Sequence, residues 1–491
     1  MTIPQLLLVA VYGLCLAFIF CYSLVQLHLT YLYWTRRKTV PEAIPDESYT
    51  WPTVTVQLPL YNERYVVERL IDAVATLDYP RQLLQIQLLD DSTDDTSELI
   101  RQKIARYAGT DLRLEHVRRP DRSGYKAGAL QYGLQQATGE FIVIFDADFV
   151  PRPDFLKRTI PAFDHDRIGV VQTRWDHLNQ DYSLLTRLQA FGLDAHFTVE
   201  QAGRNSGGHF INFNGTAGVW RKSCIVDAGG WQSDTLTEDL DLSYRAQLRG
   251  WHFSYLQDVK APAELPAAMG ALKSQQYRWT KGAAETARKH LGKVLYSPMS
   301  FSTRLHAVFH LLNSGIFVCV LFTALLSLPM LYLKHSVPGL ELLFAMGSLL
   351  IVSLLALVVF YWTSLYQQTG SFKQTAWRFI PEFFLFLSLS MGMSLHNTVA
   401  VLEGYLGRKT PFIRTPKHNL QHRRDSWRQH AYAITSLQPL TMLEGLLTVY
   451  FGYGIVVGFQ LQDYGLLPFH VMLTLGFGSV FVYSLNHSRR A

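Results

Sequence analysis

The stretch Val143-Ile144-Phe145-Asp146-Ala147-Asp148-Phe149 decides how the rest of the chain is read. From Phe141 to Phe145 every residue is apolar, which reads as a buried strand, and the run ends in two carboxylates one residue apart. Two such groups repel one another unless a cation lies between them, and hard divalent ions take oxygen ligands and bridge to phosphates. A capped turn explains the same pair, since Asp favours turns and helix N-caps.

Working outward, the pattern repeats. Val54–Leu58 is β-rich and ends at Pro59, Glu63–Thr76 has helical apolar spacing, and Gln85–Leu89 is a second strand running into Asp90-Asp91-Ser92-Thr93. Leu112–Val117 is a third strand candidate. Strands alternating with helices predict a mostly parallel α/β sheet, whose ligands bind beyond the carboxyl ends of the strands. Both acidic clusters fall at such ends.

Three further motifs follow. Gly124-Tyr125-Lys126-Ala127-Gly128-Ala129 opens a helix, where glycine allows close backbone approach and Lys126 offers a point charge for a phosphate; a plain surface turn fits as well. Thr237-Glu238-Asp239-Leu240-Asp241 reads either as a general-base site or as an acid-rich first helical turn. Gln275-Gln276-Tyr277-Arg278-Trp279 combines a phosphate-binding guanidinium with a flat ring for a sugar or base, or else belongs to an amphipathic helix at a membrane surface.

The flanks are apolar. Ile3–Thr35, Leu305–Leu333, Leu342–Phe372 and Tyr464–Ser488 carry no charged residue, and Ser436–Gln462 carries only Glu444. Each is long enough to cross a bilayer. Arg36, Arg37 and Lys38 follow the first run rather than precede it. That order predicts a retained anchor with its N-terminus outside rather than a cleaved signal peptide. Phe379–Leu402 is interrupted by Glu382, His396 and Asn397, and is followed by Arg408, Lys409, Arg414, Lys417, Arg423, Arg424 and Arg428. Seven cations belong on the cytoplasmic side, with Arg489 and Arg490. Counting crossings then makes Phe379–Leu402 an interfacial or re-entrant helix and gives five spans. The expected division is an anchor over 1–38, a cytoplasmic domain over 39–300, and transmembrane helices over 301–491 with a basic loop at 403–430.

Composition narrows the classes. Of 491 residues, 48% are apolar and 17% charged, which argues against disorder and against an ordinary soluble protein, although length alone suggests about three domains. The balance of 45 basic and 39 acidic residues, +6, is too mild for a nucleic-acid binder. Cys15, Cys21, Cys224 and Cys319 form no CxxC, so neither a disulfide framework nor a thiolate zinc site is expected.

No motif is specific alone, but their order is. Asp-Asp after a strand, a Lys-Ala-Gly turn, Asp-x-Asp, Thr-Glu-Asp and Gln-x-x-Arg-Trp ahead of apolar spans resembles the processive family-2 glycosyltransferases, which include cellulose, chitin and hyaluronan synthases. The strings Leu89–Asp94, Gly124–Leu130, Val143–Phe149 and Phe213–Arg221 (Phe-Asn-Gly-Thr-Ala-Gly-Val-Trp-Arg) are similar to the cellulose synthase-like A group, the plant glucomannan and mannan synthases, and to bacterial relatives. The resemblance runs from about Leu58 to Arg288.

It implies a GT-A-like, Rossmann-like α/β domain joined to an α-helical transmembrane region. It also implies that Asp91, with Asp90, holds the base and ribose of a nucleotide sugar, UDP-Glc or GDP-Man. Lys126 approaches the diphosphate, and Asp148, supported by Asp146, binds Mg²⁺ or Mn²⁺. Asp239, next to Glu238, is the base on the acceptor hydroxyl. Gln275, Arg278 and Trp279 position the diphosphate and the terminal acceptor sugar, with Asn214 and Gly215 near the acceptor. Phe412-Ile413-Arg414-Thr415-Pro416-Lys417 is similar to the Phe-x-Val-Thr-x-Lys gating loop of cellulose synthases, with Arg414 in place of Val. The expected reaction is inverting hexosyl transfer to a growing β-linked glycan, with single-sugar transfer to a lipid, as in ceramide glucosyltransferases, as the alternative. A non-enzymatic membrane transporter or scaffold is a further alternative. The bacterial inner membrane is the expected location, or the Golgi for a plant protein.

Overall fold

The computed structural model describes residues 1–36, 48–337, 349–420, 422, 424–428, 430–432 and 438–488. Arg37, Lys38, Arg423, Arg489 and Arg490, part of the charge pattern above, lie outside the described residues, as does most of 342–350.

Seven strands form one sheet: β1 (Val54–Leu60), β2 (Leu84–Asp90), β3 (Arg113–Val117), β4 (Phe141–Ile144), β5 (Ile168–His177), β6 (Gly218–Arg221) and β7 (His252–Ala263). Their spatial order is β3-β2-β1-β4-β6-β5-β7. β1 runs parallel to β2 and β4, β2 to β3, and β5 to β7, while β6 lies antiparallel between β4 and β5. The four expected strands are all present. β5, β6 and β7 escaped the sequence reading.

β1 and β4 are sealed on both faces. Val54, Val56 and Leu58 are fully buried in one cluster with Leu70, Ile86, Val143 and Phe155. On the opposite face Ile142 and Ile144 pack with Leu130, Leu134, Phe213 and Trp220. Polar residues facing inward pair across the strands: Thr55 Oγ1 donates to Gln85 Oε1 at 2.8 Å, and Gln57 Nε2 to Gln87 Oε1 at 3.0 Å. Such a doubly buried parallel core puts every parallel strand's carboxyl end on one rim, where the loops are free to vary.

The remaining chain is helical. Ile3–Arg36, Gly315–Ser336, Ile351–Thr369, Leu440–Gln460 and Leu467–Ser488 are long and apolar enough to cross a membrane. Phe372–Gly392 and Ser394–Leu406, which include the segment expected to be interfacial, form a pair bent by 49°. Leu305–Leu333 is not one span. It breaks at Leu312–Ser314 into Phe301–Leu311 and Gly315–Ser336. The first piece packs on the sheet domain, because Ala307 and Leu311 cluster with Phe210, Tyr244, Ala287 and Val294. His306 meets His28 of the first helix at 2.8 Å, and Arg204 Nη1 donates to the His306 carbonyl at 3.2 Å. The four cysteines are all free thiols.

Helix Met269–Leu295 joins the two regions. Its buried Lys273 donates to Glu444 Oε2 at 2.7 Å and to Ser484 Oγ at 2.9 Å, both on apolar helices. His396 meets the Lys273 carbonyl at 3.0 Å. A buried ion pair of this kind fixes register more than it adds stability.

Candidate active site

One cavity opens on the carboxyl rim of the sheet, and most of the expected residues line it. Asp91, Lys126, Asp146, Asp148, Asn214, Gly215, Glu238, Asp239, Gln275, Arg278 and Trp279 all contribute to its wall. Their origins explain the convergence. Asp91 follows β2, Asp146 and Asp148 follow β4, and Asn214 and Gly215 precede the antiparallel β6, whose start therefore lies on the same rim. Glu238 and Asp239 occupy the first turn of helix Glu238–Leu248. Gln275, Arg278 and Trp279 lie on helix Met269–Leu295.

Asp90 is the exception. The resemblance implies that it joins Asp91 on the nucleotide, but its carboxylate turns inward. It accepts from Ser92 N at 2.9 Å and Ser97 Oγ at 2.5 Å, and meets His116 Nε2 at 2.8 Å. Burial pushes its carboxyl upward, but these bonds outweigh that and hold it down at about 2. Adjacent residues of an extended chain point to opposite sides, so only Asp91 faces the cavity. Asp91 is oriented by Arg119, whose Nε and Nη2 reach its two oxygens at 2.8 and 2.6 Å. Arg119 was not foreseen, although it follows β3 on the same rim. Gly128 leaves room for that guanidinium: a Cβ there would stand 2.4 Å from Arg119 Nη1 and 2.0 Å from the Ser123 carbonyl.

The two carboxylates of Asp-x-Asp are each matched to an ammonium group. Lys126 Nζ lies 2.5 Å from Asp146 and also donates to the Gly215 carbonyl at 2.9 Å. Lys417 Nζ lies 2.7 Å from Asp148 Oδ2, and Arg69 Nη2 donates to the Asp148 carbonyl at 3.2 Å. A pair of hard oxygen donors, each drawing a cation to it, fits a divalent ion such as Mg²⁺ or Mn²⁺.

Asp239 sits deeper. Burial, then the neighbouring Glu238 charge, push its carboxyl up to about 7 against the pull of Lys126. Glu238 is raised as well, mainly by burial, with Lys126 opposing. Lys126 answers these acids: burial disfavours its charge, but Asp146 and Glu238 outweigh burial and raise it. Arg278 Nε and Asn214 Nδ2 are among the polar atoms of this wall that are buried without a hydrogen-bond partner. Unsatisfied buried donors are costly, which makes them fit receptors for an incoming oxygen.

The basic loop after Leu406 closes the cavity. Phe412, Arg414, Thr415 and Lys417 line it. Thr415 accepts from Arg278 Nη2 at 2.8 Å, and Phe412 stacks on Tyr125 at 5.7 Å. Arg414 replaces an apolar residue of the gating-loop pattern, and its guanidinium pairs with buried Glu63 at 2.6 Å. Glu63 and Glu264, both on the rim, were also unforeseen. Each is a lone acid without a partner nearby in sequence.

Residues 52–282 match the family described as glycosyltransferase like family 2. This segment is a family-2 glycosyltransferase domain with a GT-A-like fold. The particular relatives are narrower. The chain is 40% identical to glucomannan 4-beta-mannosyltransferase 7 of Arabidopsis thaliana over 345 residues, covering 65% of this chain and 62% of that protein. It is 46% identical to glucomannan 4-beta-mannosyltransferase 2 of the same plant over 253 residues, 50% of this chain and 47% of the relative. The chain thus spans roughly half to just under two thirds of the curated relatives' length. Among solved structures, a mannosyltransferase from Pyrobaculum calidifontis, in complex with GDP-Man and Mn²⁺, aligns with a TM-score of 0.56 and 21% identity. The alignment covers 82% of this chain and all of that one.

Proposed function

We propose that the protein is a membrane-embedded, inverting hexosyltransferase that moves mannose from GDP-mannose onto a growing β-linked glycan. The observation that carries this reading is the meeting of Asp91, Asp148 and Asp239 with Lys126 and Arg278 in one cavity. The similarity to glucomannan mannosyltransferases favours GDP-mannose over UDP-glucose, and a glycan over a lipid acceptor.

The roles follow from position. Asp91, held by Arg119, receives the hydroxyls or base of the nucleoside. Asp146 and Asp148 would hold the divalent cation, which when bound offsets charge on the leaving diphosphate. Lys126 and Arg278 take up the rest of that charge. The acceptor hydroxyl oxygen attacks the anomeric carbon as the bond from that carbon to the phosphate oxygen breaks. The nucleoside diphosphate leaves, and Asp239 takes the hydroxyl proton. One displacement inverts the anomeric centre, giving a β-glycoside from an α-linked donor. Trp279, with Trp175 at 6.3 Å, offers a flat wall for the acceptor sugar.

The basic loop touches Asp148, so it lies in the same compartment as the catalytic domain. If Gly315–Ser336 and Ile351–Thr369 are two crossings, the bent pair must return the chain to that side. This supports the interfacial or re-entrant reading and five spans, with the domain facing the cytoplasm.

The direct test offers the purified protein GDP-mannose, UDP-glucose and UDP-N-acetylglucosamine in turn with Mn²⁺. Mannose incorporation into product degraded by a β-mannanase supports the assignment. A product of single-sugar lipid only, or transfer from UDP-glucose alone, contradicts it.

Two outcomes follow from the site. Since Asp239 must be ionised to accept a proton, kcat/KM is expected to rise with pH through about 7 and level off above it. Glu238→Gln removes the adjacent negative charge and shifts that rise to lower pH. An unmoved profile in the variant would separate the two carboxyls. Gly215 sits at φ +79°, and a Cβ there would stand 3.0 Å from Asp239 Oδ2 and 3.5 Å from Lys126 Nζ. Gly215→Ala is therefore expected to cost about 1–2 kcal/mol in backbone strain and to lower kcat/KM by about tenfold, read by thermal unfolding and initial rates.

A further inference from the structure

The basic loop does not rest on the domain by charge alone. Glu264, 5% exposed at the end of β7, accepts from two successive loop amides, His418 N at 2.9 Å and Asn419 N at 2.7 Å, one on each carboxylate oxygen. Its backbone is engaged at the same point. Glu264 N donates to Asp148 Oδ2 at 3.0 Å, and the Glu264 carbonyl accepts from Lys417 Nζ at 3.2 Å. One residue thus touches Asp148 and three consecutive loop residues. Glu63 makes the second attachment through Arg414. Both glutamates are buried, so neither would be tolerated there without its partner.

We infer that Glu264 is a positioning residue that latches residues 412–420 over the cavity and fixes where Lys417 meets Asp148, with Glu63 as the second catch. This rests on the reading of the cavity as the donor site. The latch holds four lining residues, Phe412, Arg414, Thr415 and Lys417, in contact with whatever fills the cavity. Its contribution is made to the bound donor as a whole, not to the bond being broken, so it acts on donor binding more than on turnover.

The test compares Glu264→Gln and Glu63→Gln with wild type in the full-length, detergent-solubilised protein. The two backbone N–H groups meet different oxygens, and in Gln one of these becomes an NH₂ donor, so in this geometry only one is accepted. Losing a hydrogen bond to a charged acceptor predicts about tenfold faster hydrogen exchange in peptides covering 412–420, with helix Met269–Leu295 unchanged. It also predicts about a tenfold rise in donor KM with kcat within about threefold. Glu63→Gln is expected to loosen the same peptides. If Glu264→Gln misfolds, seen as faster exchange throughout the sheet, Glu63→Gln carries the test. Unchanged exchange at 412–420 in the folded variants, or a collapse of kcat at constant KM, overturns the latch. The exchange comparison needs no turnover, so failure of every sugar donor would overturn the proposed function and leave the latch separately judged.

Discussion

Asp239→Asn is expected to lower transfer by roughly 10²–10⁴-fold while nucleotide binding persists. The substitution keeps the shape of the first turn of helix Glu238–Leu248 but removes the only property the mechanism asks of Asp239, a lone pair basic enough to take the acceptor proton. The cause of its basicity is local: burial and the Glu238 charge push it up to about 7. An amide cannot take that proton at any pH, so the loss is in kcat, and the pH dependence near 7 vanishes with it. Initial rates and titration calorimetry with GDP, run on the same preparation, separate the two effects. Near-normal transfer by the variant removes Asp239 from the mechanism. Loss of nucleotide binding along with activity makes it a binding residue instead.

The second large effect is expected at Asp148. Asp148→Asn leaves one carboxylate, Asp146, to hold a divalent ion and removes the charge that Lys417 Nζ meets at 2.7 Å. Transfer is expected to fall by roughly 10³-fold, in the range for removing one preorganised electrostatic contact to a developing charge. Thorough chelation of the wild-type protein is expected to do at least as much. Added Mn²⁺ should restore the wild type fully and the variant only at much higher concentration. Activity that survives chelation contradicts the metal role of Asp146 and Asp148.

The legible part of this molecule was its carboxyl rim. A strand that ends in acids is recognisable because apolar runs and charged turns differ in composition, and Asp91, Asp146 and Asp148 stand out that way, whereas Asp239 stands out only as one of an acid-rich cluster that also reads as a first helical turn. What sequence alone hid has physical reasons. β6 is only four residues long, Gly218–Arg221, and pairs with β4 and β5, strands far from it in sequence, so no local period announces it. Asp90 and Asp91 look equivalent as letters, and only the alternation of an extended chain, with Ser97 and His116 waiting behind, turns one inward. Arg119, Glu63 and Glu264 act through partners that are distant in sequence: Arg119 pairs with Asp91, Glu63 with Arg414, and Glu264 with the loop at 418–419. The Leu305–Leu333 run satisfied a length criterion for a span. His310, turned toward Tyr244, ties its first half to the sheet domain instead, while His306 meets His28 of the first apolar helix.

A crystallographic map of the protein bound to GDP-mannose and Mn²⁺ asks whether the acids that meet in one cavity serve one reaction. The expected map has the metal's anomalous signal at the carboxylates of the Asp146–Asp148 motif, the diphosphate toward Lys126 and Arg278, the nucleoside beside Asp91, and the sugar on the side of Asp239. Metal and nucleotide bound away from these carboxylates, or sugar density on the far side of the sheet from Asp239, would contradict the account.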